Sequence, residues 1–114
     1  MQRYGVMGDR TIGGILGGRI LLETQITRKI MEKLNKMENC RVMKLHGSQY
    51  TINGTPDLLI VKEGQTYFME VKRRGNKATP KQIYELMKWA QAGAITGVVY
   101  SVDEAINMIG GNDA

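Results

Sequence analysis

Three charged residues stand inside two apolar runs that are typical of buried β-strands. Asp57 precedes LLIV at 58–61, and Glu70 and Lys72 close the run TYFMEVK at 66–72. Carboxylates are costly to bury unless a cation or hydrogen-bond donors compensate them. Hard oxygen ligands favour Mg²⁺, with Mn²⁺ as a substitute, and a neighbouring lysine can stabilise charge on a phosphate or position a water. The three residues therefore indicate metal-assisted phosphate chemistry.

The separation of these groups depends on the turn between the two runs. KEGQ at 62–65 predicts a β-hairpin. If Glu63 and Gly64 form a two-residue turn, Asp57 faces Glu70 directly, with Cβ atoms roughly 4.5 to 5.5 Å apart. A three-residue loop would shift the pairing by one residue and leave the two carboxylates only diagonally related.

An ordinary cross-strand group of acids and a lysine on a solvated sheet face is the alternative interpretation. The residues between the charged positions are apolar on both faces of the hairpin, which is typical of a covered sheet. These residues are Leu58, Leu59, Ile60, Val61, Phe68 and Met69. Two carboxylates opposed in a half-buried place repel each other, and a cation between them would relieve the repulsion.

The rest of the pattern predicts one α/β domain, a central mixed β-sheet flanked by helices. A chain of 114 residues, 42% hydrophobic and 24% charged, suits a single core. Residues 1–21 form a glycine-rich N-terminal arm, in which we expect irregular structure. The order α-β-β-β-α-β-α follows, with helices predicted at 22–37, 79–93 and 102–110 and strands at 40–46, 58–61, 66–71 and 97–101.

The second predicted helix has a strong start signal. Thr79 suits the N-cap, Pro80 suits the first helical position, and Gln82 stands three residues after the cap. Gln82 can bond back to the Thr79 backbone or point towards the charged strand ends, and both roles are open. Ser101 and Glu104 form a similar capping-box pattern before the last helix.

Charge and cysteine content limit the class of protein. A net charge of +5 and a pI near 9.5 suit a polyanionic partner, and the cations after the second run could contact phosphate. These cations are Arg73, Arg74, Lys77 and Lys81. The single Cys40, the lack of an apolar run near ~20 residues and the lack of a signal-peptide pattern lead us to expect a reduced, cytoplasmic, non-membrane protein.

Gly54-Thr-Pro-Asp57 followed by Glu70-Val71-Lys72 resembles the Pro-Asp…Glu-x-Lys signature of the PD-(D/E)XK nuclease superfamily. The RRGNKATPKQ stretch and the upstream helix with Glu23 make the chain similar to the virus-type replication-repair nuclease (VRR-NUC) domain over about residues 22 to 105. The resemblance implies a restriction-endonuclease-like core and a nuclease domain spanning 22–114.

The resemblance also implies roles for single residues. Asp57, Glu70 and the Val71 carbonyl would bind Mg²⁺. Lys72 would orient or activate the attacking water, and Gln82 would point into the site. Glu23 would lie near the metal through a direct or water-bridged contact. As an alternative, Glu23 is only a first-turn acid that favours the helix dipole.

The activity implied by the resemblance is endonucleolytic hydrolysis of DNA phosphodiester bonds, leaving a 5′-phosphate. Small stand-alone members of this family come from viruses and prophages and act as homodimers on branched DNA such as four-way (Holliday) junctions. We therefore expect a DNA-repair role in a bacterial or phage-infected cell. The alternatives are a non-catalytic nucleic-acid-binding module that uses the basic loop, or a nuclease of the same chemistry acting on linear, flap or RNA substrates.

Overall fold

The computed structural model of the chain describes residues 22–45 and 52–110, together with three two-residue strands between 11 and 20. The elements in chain order are β1 (Thr11–Ile12), β2 (Ile15–Leu16), β3 (Arg19–Ile20), α1 (Glu23–Leu34), β4 (Cys40–Lys44), β5 (Leu58–Lys62), β6 (Gln65–Val71), α2 (Pro80–Gln91), β7 (Ile95–Val99) and α3 (Val102–Met108). From α1 onwards the order is α-β-β-β-α-β-α, which confirms the predicted single-domain α/β class.

The glycine-rich arm contains regular structure that the sequence did not predict. Strands β1, β2 and β3 pair antiparallel in a small sheet of their own. The expectation of irregular structure was therefore wrong for these strands, since two-residue strands are too short to produce a period-two pattern. The other residues of the arm lie outside the described part of the chain.

A four-stranded mixed sheet in the order β4-β5-β6-β7 forms the centre of the domain. Strands β4, β5 and β6 pair antiparallel, and β7 joins β6 in parallel after the crossover through α2. Parallel strands end at the same edge of a sheet. The residues that follow β6 and β7 therefore meet at one edge.

The hairpin between β5 and β6 has the two-residue turn on which the position of Asp57 depends. Glu63 and Gly64 have φ angles of 50° and 87°, the positive values that a type I′ turn requires at both central positions. Leu58 pairs with Met69 at the far end of the ladder. The register with Asp57 facing Glu70 is thus confirmed, and the three-residue alternative is excluded.

Helices cover the two faces of the sheet unequally. The main core lies between the sheet and the helices α1 and α3, and its fully buried members include Ile26, Ile30, Ile60, Met69 and Ala105. On the other face α2 contributes the buried Leu86, and its Trp89 ring stacks on Phe68 with a centroid distance of 4.3 Å. Because side chains alternate along a strand, Glu70 lies on the α2 face.

Several element boundaries differ from the sequence prediction by a few residues. Helix α1 ends at Leu34, with Asn35 as C-cap, although the apolar pattern continued to Met37. Strand β7 is Ile95–Val99, displaced towards the N-terminus from the predicted 97–101, because Ser101 already serves as the N-cap of α3. The predicted end of β4 at 46 lies outside the described residues.

The three helices are short. Helices α1 and α2 have 12 residues each, and α3 has 7. A helix needs about 20 apolar residues to cross the hydrocarbon core of a bilayer. None of the helices in the described residues meets that requirement.

We expect Gly54→Ala to destabilise the fold more than Gly64→Ala. A Cβ at Gly54 (φ +90°) would lie 2.6 Å from Lys81 Cγ and 3.0 Å from the Lys81 carbonyl oxygen, whereas a Cβ at Gly64 (φ +87°) meets nothing within 4 Å. Positive φ should cost both variants about 1 kcal/mol, and the contact with α2 should bring the cost at Gly54 to about 2 kcal/mol or more. Urea unfolding of the two variants measures the difference, and equal midpoints would show that the close approach is not restrictive.

Candidate active site

The ends of β5 and β6 bring Asp57 and Glu70 together. Asp57 continues the β5 ladder, because its carbonyl oxygen accepts a hydrogen bond from the Leu45 N–H at 2.9 Å. Its carboxylate Oδ2 accepts from the Val71 N–H at 2.8 Å, across the hairpin. Both bonds hold the Asp57 carboxylate beside the strand that carries Glu70.

Glu70 is a buried carboxylate with incomplete hydrogen bonding. Only 2% of the residue is exposed, and its Oε1 has no hydrogen-bond partner among the described residues. Its Oε2 lies 3.7 Å from Lys72 Nζ, and the Lys72 side chain is itself only 13% exposed. A buried acceptor without a donor is unfavourable, so this atom is a marked exception in an otherwise packed sheet.

The surroundings of Glu70 disfavour its charged form. Burial raises the pKa of Glu70 most, and the negative charge of Asp57 raises it further, while the Lys72 ammonium lowers it in part. The net result is a pKa raised from the ordinary value of 4.5 to about 8. A positive charge placed between the two carboxylates would reverse this preference.

The donor set fits a hard divalent cation. It consists of two carboxylates, those of Asp57 and Glu70, and main-chain carbonyl oxygens at the end of β6. No group of three or more Asp, Glu, His or Cys side chains gathers anywhere in residues 22–45 and 52–110, so a cation here would complete its coordination with water or phosphate oxygens. Mg²⁺ sites commonly combine one or two carboxylates with water and substrate phosphate.

Glu23 binds the loop that follows β6. Its Oε2 accepts from the Arg73 N–H at 3.3 Å and from the Asn76 side-chain Nδ2 at 3.0 Å. These bonds connect the start of α1 to the strand end that carries Lys72. The sequence prediction missed Asn76, because a single asparagine in a basic loop shows no signal without its partner. A contact of Glu23 with a metal stays a prediction.

Gln82 has the capping geometry that the sequence left open. Its Oε1 accepts from the Thr79 N–H at 2.8 Å, and its own N–H donates to Thr79 Oγ1 at 3.2 Å. These reciprocal bonds cap the N-terminus of α2. This end of the helix lies near the segment that leads to Asp57, since Gly54 packs against Lys81. Gln82 therefore has the capping role, and a role in the site would have to use its Nε2 amide.

The box predicted at the start of α3 is only half formed. Ser101 Oγ accepts from the Glu104 N–H at 3.1 Å, as predicted. The Glu104 carboxylate accepts from the Tyr100 N–H at 2.7 Å, instead of from the N-cap residue itself. The Glu104 carboxylate thereby ties Tyr100, the residue after β7, to the first turn of α3.

Predicted phosphate-binding cations lie around this edge of the sheet. Arg73, Arg74 and Lys77 are exposed in the loop after β6. Lys81 is exposed in the first turn of α2, and its Nζ lies 5.4 Å from the centroid of the Tyr84 ring. The four side chains thus come from the loop that follows Lys72 and from the first turn of α2, which is compatible with contacts to a polyanion.

Solved structures with the same fold are known. One, described as "VRR_NUC domain", is 28% identical, covers 76% of this chain and 92% of its own, and superposes with a TM-score of 0.63. Another, described as "VRR_NUC domain protein", is 20% identical and covers 78% of this chain and 85% of its own, also with a TM-score of 0.63. This chain has the fold of the VRR-NUC domains, and the matches support that assignment. No protein-family model and no curated protein matches the sequence.

The VRR-NUC assignment confirms the family predicted from the Pro-Asp…Glu-x-Lys pattern. The solved domains are matched over almost their whole length, so the shared part is the complete core and not one motif. The chain is therefore placed in a nuclease-domain family. The carboxylate pair lies at the ends of two central strands of this VRR-NUC core.

We expect the metal-free protein to lose stability as the pH rises from 5 to 8. The unfolded glutamate releases its proton near 4.5 and the folded Glu70 only near 8, so the stability that the bound proton contributes is complete below 4.5 and lost by about 8. Thermal melting in EDTA should show a falling midpoint over this range, and Glu70→Gln should flatten the fall. The exposed Glu32 provides the control Glu32→Gln, which should keep the wild-type slope. Equal slopes in all three proteins would contradict the expectation.

Proposed function

We propose that this VRR-NUC domain is a Mg²⁺-dependent endonuclease that hydrolyses phosphodiester bonds in DNA, with Mn²⁺ as a substitute ion. The observation that carries the proposal is the buried Glu70 carboxylate, which faces Asp57 and whose Oε1 has no hydrogen-bond partner among residues 22–45 and 52–110. An ion pair between Glu70 Oε2 and Lys72 alone would leave that oxygen without a partner. A divalent cation would provide one and would reduce the repulsion between the two carboxylates.

Each side chain has a separate task in this proposal. Asp57, Glu70 and the Val71 carbonyl hold the cation, and Glu23 supports it through a direct or water-bridged contact. When bound, the cation would stabilise the negative charge that develops on the phosphate under attack. Lys72, 3.7 Å from Glu70, orients the attacking water and adds a positive charge beside the phosphate. The Gln82 amide would contact the phosphate from the start of α2.

Branched DNA, such as a four-way junction, is the substrate that we propose. The net charge of +5 and the exposed cations Arg73, Arg74, Lys77 and Lys81 support binding to a polyanion. A small domain has little surface for a junction, and a two-fold homodimer would present two sites to symmetric strands. Helix α2 offers apolar side chains for such an interface, with Ile83 50%, Tyr84 46% and Met87 45% exposed. The proposed setting is DNA repair in the cytoplasm of a bacterial or phage-infected cell.

We expect wild-type protein with Mg²⁺ to place symmetric nicks in a labelled four-way junction, and EDTA to abolish the nicks. Lys72→Ala should lower the cleavage rate about 100-fold or more while junction binding persists, because the lost ammonium acts on the charge of the transition state. Gel analysis of junction, flap, linear duplex and RNA substrates measures both rate and selectivity. The exposed Lys88, on the last turn of α2, provides the control Lys88→Ala.

Different results of this assay have different meanings. Binding without any cut product in Mg²⁺ or Mn²⁺ would replace the enzyme by a non-catalytic binding module. Faster cutting of linear, flap or RNA substrates than of the junction would retain the chemistry and refute the branched-DNA preference. Full activity of Lys72→Ala would remove the lysine from the mechanism.

We expect Mg²⁺ to raise the melting temperature of the protein at pH 8. A ligand that binds only the folded state stabilises it, and the gain grows with the logarithm of ligand concentration above the dissociation constant. The combined variant Asp57→Asn, Glu70→Gln should melt at the same temperature with and without Mg²⁺, because it lacks both anionic ligands. Calorimetric scans of the two proteins at increasing Mg²⁺ provide the measurement. An equal Mg²⁺ response in the variant would locate the ion elsewhere.

A further inference from the structure

We propose that a cleft beside the carboxylate pair binds one unpaired nucleotide of the DNA substrate, with its base stacked on Tyr100. The cleft has a volume of about 440 Å³ and opens to solvent. Its lining includes Arg74, Asn76, Lys77, Val98, Tyr100 and Glu104. The inference rests on the proposed function for the identity of the ligand as DNA, and its evidence is the cleft itself.

The cleft adjoins the candidate active site through the parallel pairing of β6 and β7. Val98 is the register partner of Glu70 and therefore lies next to it on the same face of the sheet. At the strand ends, the Lys72 N–H donates to the Val99 carbonyl oxygen at 3.0 Å. Tyr100 follows immediately and lines the same cleft as Val98. A nucleotide in the cleft would thus be next to a phosphate held at Lys72.

Tyr100 has an aromatic ring available for stacking. The residue is partly exposed, and within residues 22–45 and 52–110 its ring stacks on no other aromatic side chain. The rings of Phe68 and Trp89, in contrast, stack on each other with a centroid distance of 4.3 Å. The backbone of Tyr100 is held by its N–H bond to the Glu104 carboxylate. A base can therefore stack on a ring that projects from a backbone held in place by a hydrogen bond.

Charges around the cleft define how a nucleotide would lie in it. Lys77 is exposed on the wall formed by the basic loop, and Glu104, whose carboxylate accepts from the Tyr100 N–H, also lines the cleft. A phosphate is attracted to the first and repelled by the second. Asn76 is held in place by Glu23, which keeps this wall near the end of β6. The phosphate would accordingly lie towards the loop and the base towards Tyr100.

An unpaired nucleotide suits this arrangement better than a base pair. In a duplex both faces of a base are covered by its stacked neighbours, so a tyrosine ring can stack only on a base that has left the helix. Unpaired or loosely stacked nucleotides occur at branch points, flaps and bulges. Binding one of them next to the scissile phosphate would give the enzyme selectivity for DNA structure without reading sequence.

A binding experiment without divalent metal tests the proposal separately from catalysis. Fluorescence anisotropy in EDTA would compare three labelled probes: a duplex with a bulge of three thymidines, the same duplex with three abasic residues in the bulge, and the fully paired duplex. We expect Tyr100→Ala to bind the thymidine bulge about tenfold more weakly than wild type and the other two probes equally well. Tyr100→Phe keeps the ring and should bind all three probes as wild type does.

Three results would overturn the proposal. These are unchanged binding of the thymidine bulge by Tyr100→Ala, an equal loss on all three probes, or a loss in Tyr100→Phe as large as in Tyr100→Ala. Cleavage in Mg²⁺ is measured on the same probes in a second step. A protein that discriminates the thymidine bulge through Tyr100 but cuts no probe would refute the proposed nuclease activity and support the nucleotide site.

Discussion

The opposition of two carboxylates at the ends of adjacent strands is the constraint on which the rest of the structure depends. Glu70 is held in a buried place, facing Asp57, where neither solvent nor a full set of donors from the described part of the chain compensates its charge. Folding places a group there at a cost in desolvation. The pairing of the surrounding strands determines the position of both residues and keeps Glu70 in this place despite the cost. A shift of β6 by one residue would move Glu70 to the opposite face.

The register of the sheet comes from the turn and the pairing partners of β6. The type I′ turn at Glu63 and Gly64 sets the alignment with β5, and the parallel ladder with β7 sets the second edge. Helix α2, which makes the parallel connection possible, begins in close contact with Gly54, in the segment that leads to Asp57. The same crossover therefore builds the sheet and brings the start of a helix to the site.

The two faces of the sheet have different tasks. The face towards α1 and α3 is filled by apolar side chains such as Ile30, Ile60 and Met69, and it supplies most of the core. The face towards α2 is apolar at one end, where Phe68 stacks on Trp89, and charged at the other end, around Glu70. Stability and chemistry are thus separated onto opposite sides of one strand by the alternation of its side chains.

Local signals in the sequence determined a large part of this protein. Two β-rich runs around KEGQ predict the hairpin, and the Thr79 to Gln82 pattern predicts the start of α2, because these interactions join residues that are close along the chain. The register stayed open between a two-residue and a three-residue loop, and the positive φ angles of Glu63 and Gly64 decided it. These local signals are sufficient to predict that Asp57, Glu70 and Lys72 lie close together. They do not predict the two-residue strands of the N-terminal arm, which are too short to show a period.

Tertiary structure alone decided how deeply Glu70 is buried, and hence the direction in which its pKa moves. It also decided that Glu23 binds the Arg73 N–H, 50 residues further along the chain, and that Tyr100 lines a cleft beside Glu70. Such contacts depend on how helices and strands pack together, and no periodicity or motif in either segment specifies the other. Residue types alone predict which groups could do chemistry, so this part followed from the sequence. Properties that depend on the surroundings of a group, such as the pKa of Glu70, follow only from the tertiary structure.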